Sequence, residues 1–366
     1  MKAIRLKKLA LLAAVAGAMF VPLLHATPVQ AATAYVKATG NDAAACLDEL
    51  NACLTLDKAI TVSTQSGKII ITGHGDFQGL TSPITGGLTI IAPDGGVSIS
   101  QNTLSQPVFT INAASDTVVF KSIAITGGSA GTIGIQVDNG NKVYIENCTL
   151  KGFSNGAAQA MFLQPNPGAG VQSQLYISNT EVSNANTGLI LIAPRSGQVK
   201  AYFTHVEVHN TNGYGIKADG TNGQGLDVAI ADSAIFSMTG SAIHGITPPT
   251  ASPGTPVVRM SIERTTILNS GGGAVVGNGG GSRMLVNKSS VMSHALGIYA
   301  LNGGTVVLND SLVSGNSVGV SLNGLGSTSP VQSFANNAIK YNGFAQCGDD
   351  VCNGASPGTL FTFSLR

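Results

Sequence analysis

Between residues 120 and 339 one six-residue pattern, apolar-x-x-small-x-apolar, returns nine times: FKSIAI at 120, IENCTL at 145, ISNTEV at 177, FTHVEV at 203, IADSAI at 230, IERTTI at 262, VNKSSV at 286, LNDSLV at 308 and FANNAI at 334. Successive copies begin 22 to 32 residues apart. Six or seven positions past the last apolar residue there is usually Gly or Ala and then another apolar residue, as in GL at 188, GI at 215, AI at 242, AV at 274, GI at 297 and GV at 319. A variable Gly-, Asn- or Pro-rich stretch follows, such as APRSGQ or TPPTASPGTP. Each unit therefore reads as short strand, turn, short strand, turn, short strand, loop.

One such unit cannot bury its apolar side alone. Stacked on a neighbour at the 4.7–4.9 Å strand spacing it pairs every strand and builds a continuous core. The pattern predicts an all-β chain wound as a single solenoid over residues 68–345, and the short bursts fit a propeller blade poorly. With the first apolar residue of each unit as position zero, alternation sends positions zero, three and five, and the residue two before zero, inward. Position three holds Ile123, Cys148, Thr180, Val206, Ser233, Thr265, Ser289, Ser311 and Asn337, all small enough to stack inside. Cys148 reads as a buried thiol rather than a nucleophile.

A solenoid needs its ends closed. LTLDKAITVSTQ reads as a short helix lidding the first coil within an N-terminal cap, residues 32–67, and residues 346–366 read as the C-terminal cap. Cys46 and Cys53, and Cys347 and Cys352, are each spaced to close a small disulfide loop, whereas neither pair has the spacing or the nearby His of a zinc site. Residues 1–31 read as a signal peptide: Lys2, Arg5, Lys7 and Lys8 precede an apolar run from Leu9 to Leu24, with Val29 and Ala31 at a small-residue cleavage site. The run is short for a membrane span. Its removal takes four of 19 basic and none of 18 acidic residues, moving the formal charge from +1 to −3. These features predict a secreted or periplasmic protein of bacterial type, with no membrane span after signal removal and no nucleic-acid partner. With 47 Gly, no Trp and 10% charged residues, the composition suits strands joined by tight turns.

The coils VEVHNTNGYGI and SLVSGNSVGV resemble those of the right-handed parallel β-helix proteins, the pectin-lyase-like superfamily. The opening YVKATGNDAAACLDELNACLTLDKAI resembles secreted bacterial members in which Gly-Asn-Asp and a Cys pair precede a capping helix. Ala52 departs from that pattern, since those relatives often carry Pro there. The resemblance spans about residues 34–345; it is specific for the fold and implies no particular chemistry.

Candidate chemistry lies at outward positions. Tyr144, Tyr176 and Tyr202 stand one residue before zero in three consecutive coils and predict an external ladder. Glu181 and Glu207 share position four of adjacent coils, with His205 at position two and His209 just beyond. Aromatic rings beside carboxylates and imidazoles suit a sugar chain, the rings meeting CH groups and the polar ends meeting hydroxyls. Tyr144, Tyr176, Tyr202 and His209 are the expected binding residues, and Glu181, Glu207 and His205 the candidates for acid–base work. The plainer alternative is that the tyrosines stabilise the sheet and the charges solvate it.

Motifs of the superfamily's carbohydrate enzymes are largely missing. GHG occurs at 73–75, but there is no Asn-Thr-Asp; Asp-Asp occurs only at 349–350 and Arg-x-Lys only in the signal segment. Asp227 and Asp232 lack acidic companions on neighbouring coils for a calcium site. Arg259, Arg264, Arg283 and Lys288 fall on successive coils and read either as solvated cations or as contacts for a polyanion. Neither metal nor cofactor is expected. Three functions remain: a non-catalytic polysaccharide-binding or cell-surface protein, a polysaccharide lyase or hydrolase acting at the Tyr/Glu/His face, or a structural rod that contacts other envelope components.

Overall fold

The computed structural model describes residues 32–363, apart from 64–66, 104–105, 129–132, 155, 157, 167–171, 223–224, 249–257, 323–330, 335, 344–346, 349–350 and 353–360. Residues 1–31, where the signal peptide is expected, lie outside the described residues. No helix among those described is long and apolar enough to cross a membrane.

Each turn of chain contributes a strand to three parallel sheets, and about nine turns stack into one solenoid. The first sheet includes Gly225–Ala231, Val258–Glu263, Ser282–Asn287 and Thr305–Asn309; the second, Ala234–Met238, Thr266–Ser270 and Ser290–Met292; the third, Gly188–Ile192, Tyr214–Asp219, Ile243–Ile246 and Gly273–Asn278. Gln172–Ala185 and Gln198–Thr211 pass around the corner and serve the first two sheets. The predicted register holds: Tyr176 pairs with Tyr202 and Ile177 with Phe203, in parallel.

Inward positions are filled as the alternation requires. Ile145, Ile177, Phe203, Ile230 and Ile262 stack at position zero with at most 1% exposure. A fully buried side chain of this size contributes roughly 1.5–3 kcal/mol, so each turn stabilises the next.

The corner has a device of its own. Position two is left-handed in eight successive copies, Ser122, Asn147, Asn179, His205, Asp232, Arg264, Lys288 and Asp310, with φ between 46° and 58°. Such a residue breaks the ladder, and the following N–H loses its strand partner. The small polar residues at position three replace it. The Cys148 N–H donates to Thr180 Oγ1, Val206 to Ser233 Oγ, Thr265 to Ser289 Oγ, Ser289 to Ser311 Oγ and Ser311 to Asn337 Oδ1. Each acceptor comes from the next turn along. A second left-handed corner, including Asn184, Asn210, Ser237, Asn269 and Ser293, precedes a similar interior row. There Ser270 donates to His294 Nδ1, His294 to Asn316 Oδ1 and Asn316 to Asn342 Oδ1.

The N-terminal end is built by the Gly-Asn-Asp and cysteine pattern. Thr33–Val36 would be an open edge, but Tyr35 and Lys37 donate N–H groups to the carbonyls of Cys46 and Cys53, and Cys53 returns one to Tyr35. The Cys46–Cys53 disulfide closes this loop. A Cβ at Gly40 would stand 2.1 Å from the Cys53 carbonyl oxygen, which is why glycine is needed there. Asp42 accepts the N–H groups of Leu54 and Thr55 at 2.9 Å, anchoring the start of the helix Leu56–Ser63, which buries Leu56, Ala59 and Ser63. At the other end Cys347 and Cys352 are register partners in a short antiparallel pair; their side chains lie outside the described residues.

Candidate functional site

Register on the first sheet turns distant residues into columns. One outward column runs Val119, Tyr144, Tyr176, Tyr202, Ala229, Ser261, Leu285, Val307. The column beside it runs Lys142, Gln174, Lys200, Asp227, Arg259, Arg283, Thr305.

The three predicted tyrosines do form a ladder. Their ring centroids are 4.7 and 5.0 Å apart, with planes 8° and 11° from parallel. This geometry changes what they offer: both faces of Tyr176 are taken by its neighbours, so the stack presents ring edges to solvent along its length. Burial, followed by the neighbouring phenols of Tyr144 and Tyr202, raises the Tyr176 hydroxyl above its usual range. That hydroxyl donates to Gln174 Oε1 at 2.8 Å.

At Tyr202 the stack stops, because the next residue in the column is Ala229. The far face of Tyr202, a residue 37% exposed, adjoins an open groove of about 670 Å³ lined also by Ala229, Ser261, Leu285, Arg259 and Arg283. Small residues form its floor where bulky ones end. Arg259 Nε donates to Asp227 Oδ1 at 2.6 Å, and this carboxylate raises the guanidinium's pKa further. Arg283, its column neighbour, has no ion-pair partner among the described residues.

The Glu/His group lies past the corner, on the second sheet. His209 Nε2 is 3.3 Å from Glu181 Oε1 and 3.8 Å from Glu207 Oε1. Its ring stacks on Phe236 with centroids 4.8 Å apart and planes 3° from parallel, and its Nδ1 is buried without a partner. Ser183 Oγ donates to Glu181 Oε1 as well. His205 is separate: exposed at the left-handed corner, near Asp232, whose carboxyl is held low chiefly by the hydrogen bond from Arg264. The structure thus groups Tyr144, Tyr176 and Tyr202, and groups Glu181, Glu207 and His209, on different sheets.

The third sheet carries a half-buried polar group that the repeat pattern does not single out. Lys217 Nζ is 2.9 Å from Asp219 Oδ2 and lies over the Tyr214 ring, 5.7 Å from its centroid. Burial and then the Asp219 charge push the Tyr214 hydroxyl up to about 12. Burial, then the Lys217 charge, lowers His244 to about 4.

The remaining sequence candidates are also placed. Asp227 and Asp232 are each engaged by an arginine of the next turn, Arg259 and Arg264. Among the described residues no group of three or more His, Cys, Asp or Glu is arranged to hold a metal ion. His74 is an exposed turn residue against Gly96. Cys148 is buried, and desolvation pushes its thiol up to about 11, the wrong direction for a nucleophile. Asp349 and Asp350 lie outside the described residues.

No protein-family model matches the chain, and no curated protein matches its sequence. Solved structures do match in shape. Pectate lyase Pel9A aligns over 81% of this chain and 79% of its own, with a TM-score of 0.59 and 13% identity. A pectin methylesterase from Aspergillus niger aligns over 90% and 91%, with a TM-score of 0.43 and 11% identity. The pectate lyase likeness shows the fold alone: this chain is a parallel β-helix.

Proposed function

We propose that this protein is an exported, non-catalytic binder of polysaccharide, and that the groove beside Tyr202 is where the sugar chain lies. One observation carries this reading: the tyrosine stack ends on an uncovered ring face that opens over Ala229 and Ser261. A phenol ring flanked by polar side chains matches a pyranose, with CH groups against the ring and hydroxyls toward Gln, Thr and Arg. The groove runs along the solenoid axis, as an extended chain requires. One solved structure it is similar to is that of a pectate lyase, and the Cys46–Cys53 disulfide accords with life outside the reducing cytosol.

Cleavage at Glu181, Glu207 and His209 is the second reading, favoured by the convergence of both carboxylates on one imidazole. Against it, both carboxylates are engaged by one imidazole nitrogen, and the group lies on a different sheet from the groove. A glycan array followed by product analysis separates the two. Binding without new reducing ends or unsaturated uronate, lost in Tyr202→Ala, is expected. Turnover that is lost in Glu207→Gln would establish the second reading, and the absence of any glycan binding would leave the structural rod.

A further inference from the structure

We infer that the leucine-bearing loop of the N-terminal cap docks in the first-sheet groove of a second copy of this chain, so that copies join end to side. Among the described residues six large apolar side chains are exposed: Leu47, Leu50, Leu54, Tyr202, Leu285 and Tyr341. The three leucines fall within one stretch of eight residues, and Leu50 is 97% exposed; Tyr202 and Leu285 border the groove. Apolar groups gathered in this way on a surface mark contact sites. The loop is also held still. The Cys46–Cys53 disulfide closes it, Asp48 Oδ1 accepts the Asn51 N–H at 2.8 Å, and Asp42 Oδ1 accepts the Leu54 N–H at 2.9 Å. A rigid frame displays the leucines, which lowers the entropy lost on docking.

Charge identifies the partner. Asp48 and Glu49 immediately precede Leu50, and Glu49 has no ion-pair partner among the described residues. An acidic, apolar knob is repelled by an anionic surface and matches an apolar hollow edged with cations. The groove has that character: Ala229, Leu285 and Val307 line it, and Arg283 at its side is the guanidinium without an ion-pair partner among the described residues. The knob cannot reach the groove of its own chain. It is clamped to the strand of Tyr35, and the register runs from there through Ile70, Ile91, Lys121, Glu146 and Ser178 to Thr204 on the strand of Tyr202. Those six strand spacings amount to roughly 29 Å. A second copy must therefore supply one of the two surfaces. Because knob and groove are different patches, each copy can use both, and the contact propagates instead of closing as a twofold dimer. The groove is the one proposed above for a sugar chain, so a bound glycan and a neighbouring copy exclude each other, while self-association itself requires no sugar.

The test is analytical sedimentation of the exported chain, freed of residues 1–31, over a range of concentrations and without sugar. Its weight-average mass should rise with concentration past that of a dimer, less steeply as salt is added. Leu50→Ser, at an exposed position and expected to fold, should weaken association at least about tenfold. Glu49→Arg and Arg283→Glu should each weaken it about tenfold or more, yet the two variants should associate when mixed, because an arginine knob then meets a glutamate groove and a glutamate knob an arginine groove. A chain that stays monomeric, or a dimer that grows no further, overturns the inference. So does association untouched by these variants, or a mixture of the two charge variants no more associated than either alone. Flotation of a monomeric chain with phosphatidylcholine vesicles, lost in Leu50→Ser, would likewise overturn it and make the loop a membrane contact.

Discussion

Tyr202 and His209 belong to the same turn of chain and differ in one respect that decides their roles. Each presents a flat ring outward. The next residue in the Tyr202 column is Ala229; in the His209 column it is Phe236. His209 is consequently covered on one face, with Glu181 and Glu207 at its edge, and its side chain is only 15% exposed. Tyr202 keeps a free face and a groove. In a solenoid, whether an outward side chain serves structure or recognition is set by the residue one turn away, more than by its own type.

The most damaging test is to make the two columns alike. Ala229→Tyr should extend the ladder by one ring, fill the groove and abolish glycan binding in calorimetric titration, a loss of about 100-fold or more. One further aromatic pair, worth roughly 0.5–1.5 kcal/mol, should leave thermal stability unchanged or raised. Binding that persists in this variant would mean the sugar lies elsewhere.

Acid should separate the buried histidines from the surface next. His294 is neutral inside the solenoid, accepting the Ser270 N–H at Nδ1, with Nε2 3.0 Å from the Ile267 carbonyl. Its pKa is lowered by burial, although both hydrogen bonds oppose the shift, and His244 is down to about 4. For both, the folded state favours the uncharged ring, so their contribution is complete above the ordinary value of 6.5 and is lost as pH falls below it, for His244 through about 4. Each can steepen the fall in unfolding free energy by up to about 1.4 kcal/mol per pH unit in that window. Denaturant titrations at pH 7, 5.5 and 4.5 check this. His294→Asn, which restores the residue type at the next turn, should flatten its share.

A smaller effect is expected of Tyr176→Ala, which removes two stacked pairs and should cost about 1–3 kcal/mol in unfolding free energy. Its effect on affinity should be weaker than that of Tyr202→Ala, because its faces are already occupied. Smallest of all, Glu207→Gln should change stability by less than about 0.5 kcal/mol, being an exposed ion-pair member, and should leave binding intact. A large loss of turnover there would reverse the assignment of roles on the two sheets.

Much of this was legible in the chain. The recurrence of ISNTEV as FTHVEV gave the register of Tyr176 on Tyr202, and the alternation about position zero gave the interior. Position two was harder to read, since its left-handed residues include His205, Arg264 and Lys288 alongside the Asn and Asp that favour this conformation. That corner is also why Tyr176 and Glu181, five residues apart, do not share a surface. The groove left no motif because it arises where a row of rings gives way to Ala229. A signal was nonetheless present: a bulky column followed by small residues marks a step in a stacked surface.

From Thr265 onward the side chains that serve the first corner come from the following winding, and the row from Ser270 to Asn342 is served the same way. Each of these turns carries the fitting its predecessor needs and borrows its own from its successor, like links in a chain. Removal or duplication of one whole turn there, spliced at equivalent corners, leaves the junction matched. The molecule can lengthen or shorten by complete windings, and its groove can be moved, widened or copied, without redesign of the interior.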